Sequence, residues 1–136
     1  MEWVRRLLRR GGTTELDPGR ADLVTVASSF DDAEACSAAL ARAENWTPDQ
    51  PVVLRHHLRI PEQRRAEIGA IAAQGGYAFG DTDDESNVIL QRVQVLDALH
   101  CSQERSRMAS LAHRHDGTAL GWDALQPAAP PPREKK

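Results

Sequence analysis

A chain of 136 residues that is 40% hydrophobic and 27% charged is long enough to close one globular core and too short for two, so neither a disulfide nor a structural metal is needed to hold it. The formal charge of −3 hides an uneven distribution. Residues 1–12 carry four Arg and one Glu, residues 131–136 carry three cations and one Glu, and the body between them holds ten Arg against eighteen Asp and Glu. An acidic body repels phosphate backbones and attracts basic protein surfaces, which argues against nucleic-acid binding by the folded domain and for a protein partner.

Residues 1–12 read as a basic amphipathic helix. Trp3, Val4, Leu7 and Leu8 fall within an arc of about 140° with the four Arg opposite, and Gly11 and Gly12 stop it. The segment is too short and too interrupted for a signal peptide or a membrane span. Residues Ala21 to Ser29 read as a strand by their alternation at Leu23, Val24, Thr25 and Val26. Ser29, Asp31 and Asp32 then offer N-cap oxygens to an Ala-rich helix bearing Cys36, Leu40 and Ala43, which is expected to end near Asn45. Pro48 and Pro51 make the following stretch a linker.

From Pro51 the pattern sharpens. Val52, Leu54, His56, Leu58 and Ile60 occupy one face of a strand, and Val53, Arg55, His57 and Arg59 the other. Pro61 suits the first turn of a helix carrying Ile68, Ile71 and Ala72 and stopped by Gly75 and Gly76. Tyr77 to Phe79 begins a short strand, Asp81 to Ser86 is a polar turn, and Val88 to Leu96 is the strand richest in β-branched residues. A third helix with Leu99, Met108, Leu111 and Ala112 starts at Asp97 or Ser102 and ends around His113, His115, Asp116 and Gly117, and Thr118 to Leu125 is the last strand. The chain is therefore α+β: a ferredoxin-like βαββαβ sandwich over residues 51–125, preceded by an extra strand and helix, within a single domain spanning 13–125. Residues 126–136 read as a disordered Pro-rich tail.

The candidate chemistry is thin. His56 and His57, adjacent on a strand, point to opposite faces and cannot chelate one ion together, and His113 and His115 have the wrong spacing for a helical pair. Asp81, Asp83, Asp84 and Glu85 lack the glycine and distal glutamate of a calcium loop and read as a solvated turn offering negative charge to a partner. No nucleophile elbow or phosphate-binding glycine loop occurs. The chain is therefore expected not to be an enzyme and to need no cofactor or metal. Cys36 and Cys101 read as unbridged, reduced thiols of a cytoplasmic protein. The partner-binding candidates are His57 on the outward strand face, Gly121 and Trp122 near a strand end, and the acidic turn residues Asp83, Asp84 and Glu85.

Val53 to Leu58 (V-L-R-H-H-L), an Ala-containing helix ending at Gly76 and Tyr77, the strand leading to Leu96, Asp97 and Ala98, the third helix and the G-W pair at Gly121 and Trp122 resemble the regulator of ribonuclease activity B family over about residues 31–125. That resemblance implies a ferredoxin-like fold and a role as an inhibitor of a ribonuclease E-like enzyme. The chain departs from the family pattern at Arg55, where the family has an acidic residue, at Leu120, where it has Asp, and at Asp123, where it has Gly. A second reading is a small-molecule or metal-sensing homo-oligomer in which the open sheet face or a histidine pocket holds a ligand; an exposed sheet edge or a Trp122 patch could equally make a homodimer.

Overall fold

The computed structural model describes residues 16–82 and 84–128. The expected N-terminal helix, Asp83 and nearly all of the expected tail lie outside them. The described chain forms five strands and three helices in the order β1 (Leu23–Ser29), α1 (Cys36–Ala41), β2 (Pro51–Arg59), α2 (Arg65–Gln74), β3 (Ala78–Gly80), β4 (Asn87–Val95), α3 (Ala98–Arg114) and β5 (Thr118–Pro127). One antiparallel sheet runs β1-β5-β2-β4-β3. The best-patterned strand of the sequence, β2, sits at its centre, where both edges are paired and an apolar run is most useful.

All three helices contribute to the core on one face of that sheet. Val52 and Leu54 of β2 join Cys36, Leu40, Cys101 and Trp122 in an apolar cluster under α1 and the start of α3. Leu58, together with Ile68, Tyr77, Leu90, Met108 and Leu111, forms a second cluster under α2 and the end of α3. Leu54, Leu58, Ile68 and Leu90 are fully buried, each stabilising by roughly 1.5–3 kcal/mol.

Several boundaries differ from the sequence reading for identifiable reasons. Helix α1 has only six residues, and its N-cap is Ala35 with no side-chain bond. The expected capping oxygens serve the preceding loop instead: Ser29 Oγ donates to Glu34 Oε1 (2.7 Å), and Asp31 Oδ1 accepts from the Ala33 amide (2.9 Å). Helix α3 is capped by Asp97, which accepts from the His100 amide at 2.7 Å. Strand β5 extends into the segment read as tail. Gln126 is 4% exposed and is held by the Thr47 amide and by the Thr47 and Gln50 carbonyls. A side chain that satisfies the backbone of the Pro48 to Pro51 turn orders the strand end despite the prolines that follow.

Candidate functional site

The face of the sheet opposite the helices is organised in rows by the strand register. Leu125, Val53 and Val93 form an apolar row, Asp123, Arg55 and Gln91 a polar row, and Gly121, His57 and Ile89 a row near the other end. Between the His57–Gly121 and Leu58–Ala119 pairs the register slips, leaving Leu120 as an extra residue in β5. A bulge of this kind twists the strand and re-aims the side chains beside it.

Asp123 is the centre of the polar row. Its carboxylate accepts two bonds from Arg55 (Nε to Oδ1 2.7 Å, Nη2 to Oδ2 2.8 Å) and one from His57 Nε2 (2.9 Å). Burial, at 5% exposure, would raise its pKa, but the Arg55 and His57 bonds outweigh that and hold the carboxyl below its usual range. The same pairing raises the Arg55 pKa, the Asp123 bond being the largest contribution. The bond to Asp123 fixes the His57 ring and leaves Nδ1 without a partner among the described residues.

Phe30, directly after β1, closes this arrangement. Its ring meets His57 edge-on with centroids 5.0 Å apart, yet remains 55% exposed. It lies over Gly121, where a Cβ would run into the Phe30 ring and come within 2.7 Å of the Ser29 carbonyl oxygen. The absence of a side chain at Gly121 is therefore what allows the Phe30 ring to approach the sheet there. The loop carrying Phe30 is pinned from three sides. Arg105 donates to the carbonyls of Asp31 (3.1 Å), Asp32 (2.8 Å) and Glu34 (2.6 Å), Arg42 chelates the Glu34 carboxylate and reaches the Ser28 carbonyl, and Ser29 holds Glu34. A half-exposed aromatic on a loop so constrained loses little freedom on meeting a partner.

Of the residues singled out in the sequence, His57 and Gly121 are brought into contact with this cluster. Trp122 is not a surface anchor. It is 1% exposed, faces the helices opposite His56, and its indole Nε1 has no partner among the described residues. The alternation of β5 sends it inward precisely because Gly121 and Asp123 face outward; the outward aromatic is Phe30 instead. Asp84 and Glu85 are exposed at the β3–β4 turn, near the Arg59 end of β2 and so toward the same end of the sheet as His57. Asp84 is occupied as a turn acceptor, taking bonds from the Ser86 amide (3.0 Å) and hydroxyl (2.7 Å), and the Ser86 hydroxyl leads the causes that lower its pKa.

Comparison with family models, curated proteins and solved structures finds no significant match.

His56 belongs to a different network on the helix side. It lies between Leu54 and Leu58 on β2 as Glu104 lies between Cys101 and Met108 on α3, so the two polar residues form a seam between the two apolar clusters. Tyr77 Oη donates to Glu104 Oε1 (2.8 Å) and stands 3.4 Å from His56 Nε2, while Arg92 approaches the second Glu104 oxygen (3.4 Å) and stacks 4.6 Å over the Tyr77 ring. Burial pushes the His56 pKa down to about 4, against the opposing pull of Glu104. Among the described residues no group of three His, Cys, Asp or Glu side chains is placed to hold a metal ion, and no helix is long and apolar enough to cross a membrane.

Proposed function

We propose that this chain is a regulatory module that works by binding another protein through the Phe30–His57 end of the sheet face opposite the helices. The observation that carries the reading is a half-exposed phenylalanine held on a pinned loop above a histidine whose orientation is fixed by a buried carboxylate. Rigid aromatics of this kind are what protein interfaces use as anchors, and a polar rim around them supplies direction. His57 has a carboxylate partner but no hydroxyl or thiol bonded to it among the described residues, so the arrangement suits contact better than nucleophilic catalysis.

The proposed fold is the ferredoxin-like sandwich. The order β5-β2-β4-β3, antiparallel throughout and with α2 and α3 as the two crossovers, supports it, with β1 and α1 added at the β5 edge. The resemblance to the regulator of ribonuclease activity B family then supplies a partner class, a ribonuclease E-like enzyme. Two departures from that family's pattern become intelligible together. Arg55 and Asp123 are register neighbours and bond to each other, so an acidic residue lost from β2 is matched by one gained on β5. The contact chemistry is thereby rearranged, with the carboxylate in the sheet and Phe30 outermost.

The test is cleavage of a short single-stranded RNA by a purified ribonuclease E-like enzyme, with the chain added in increasing amounts. Inhibition that saturates, and that Phe30→Ala weakens at least tenfold while Ile71→Ala on exposed α2 leaves it intact, is the expected result. Unchanged cleavage at protein concentrations of order tens of micromolar, above the range of specific regulatory interfaces, would remove this partner class.

A further inference from the structure

Cys36 opens α1 and Cys101 lies in the first turns of α3, and the two are buried at 3% and 1% exposure in one apolar cluster. Arg105 stands one turn beyond Cys101 on the same face of α3 and directs Nη1 to Cys36 Sγ at 3.6 Å. Cys36 Sγ is therefore seated over the stripe of α3 that carries Cys101, within the one apolar cluster that holds both sulfurs. We propose that Cys36 and Cys101 are a latent disulfide, a redox modification site at which oxidation by a small-molecule disulfide such as oxidised glutathione links α1 to α3.

The chemistry assigns the two thiols different parts. Cys36, on the short helix that opens, attacks first: as the thiolate it displaces one glutathione thiolate and forms a mixed disulfide. Cys101, whose thiol burial pushes well above the usual range, then gives up its proton and attacks Cys36 Sγ, releasing the second glutathione thiolate. Two cysteine thiols are oxidised, one glutathione disulfide is reduced to two thiols, and the two cysteine protons end on the two departing glutathiones. Access comes from α1 itself. Six residues with no side-chain cap, no acidic first turn and no basic last turn are far below the length at which a helix holds alone, so once the Arg42 and Arg105 bonds to Glu34 are released this segment opens locally and exposes Cys36. Because the Phe30 loop runs directly into Cys36, the bridge also tethers the far end of that loop. The disulfide itself does not depend on the partner reading.

The experiment incubates the reduced full chain, without denaturant, in oxidised glutathione and follows intact mass, a non-reducing peptide map and thermal unfolding. The expected product is a monomer lighter by two hydrogen atoms, with Cys36 and Cys101 in one linked peptide. Closing so long a loop should raise the Tm by roughly 10 °C, reversibly with dithiothreitol. Cys36→Ala should give a chain that stays reduced, and Cys101→Ala one that stops at the glutathione adduct. A wild-type chain that remains reduced, or that gives only glutathione adducts or intermolecular dimers, overturns the proposal, and this readout depends on no variant folding.

Discussion

At the scale of single residues, Asp123 is the group on which the face opposite the helices depends, because three bonds converge on a carboxylate that is almost wholly buried. Asp123→Ala leaves Arg55 half-buried and unpaired and frees the His57 ring, and urea unfolding should show a loss of about 2–3 kcal/mol. The double variant Arg55→Leu, Asp123→Leu should recover most of that loss, since removing both partners leaves no stranded charge. Gly121 is the second sensitive position. Gly121→Ala should displace the Phe30 ring and press on the Ser29 carbonyl, costing about 1–3 kcal/mol in the same assay, whereas Gly19→Ala, in an exposed turn, should cost far less.

At the scale of elements, the seam between β2 and α3 makes stability depend on pH. The neutral His56 ring has a folded pKa near 4 because burial disfavours its charged form. Above pH 6.5 the ring is neutral in both states. As pH falls from 6.5 toward 4 the unfolded chain takes up a proton that the folded chain refuses, so stability declines across that window by at most about 3 kcal/mol. Chemical unfolding at pH 7 and pH 4.5 should show this decline in the wild type and a smaller one in His56→Gln. Tyr77, Glu104 and Arg92 face the ring on the helix side, and all three are unchanged in that variant. How far the elements were legible follows the same logic of local against distant causes. Strand β2 and the divergence of His56 and His57 could be read because alternation is a local property of the chain. The shortness of α1 could not, because its capping oxygens were taken by the Phe30 loop, and the inward turn of Trp122 depends on a register set by β2. The Arg55–Asp123–His57 cluster, the placement of Phe30 over Gly121 and the approach of Cys36 to Cys101 all join residues far apart in sequence, and a single sequence carries no signal for such pairs.

At the scale of the whole molecule, the two faces of the sheet differ in character. The helix side holds both apolar clusters and the His56 seam, while the opposite side concentrates its exposed aromatic and fixed polar groups at one end. On the proposed reading, recognition falls on that one restricted patch, and the outer surfaces of α2 and α3 should be indifferent to a partner. The most direct test is titration calorimetry of the chain and of Phe30→Ala against a purified ribonuclease E-like enzyme at low and physiological salt. The expected result is a saturable complex that Phe30→Ala weakens by about tenfold or more, the effect of losing one central anchor, while its Tm stays within a few degrees of wild type. A complex of equal affinity with and without the Phe30 ring, or heats no greater than dilution at either salt, would contradict it.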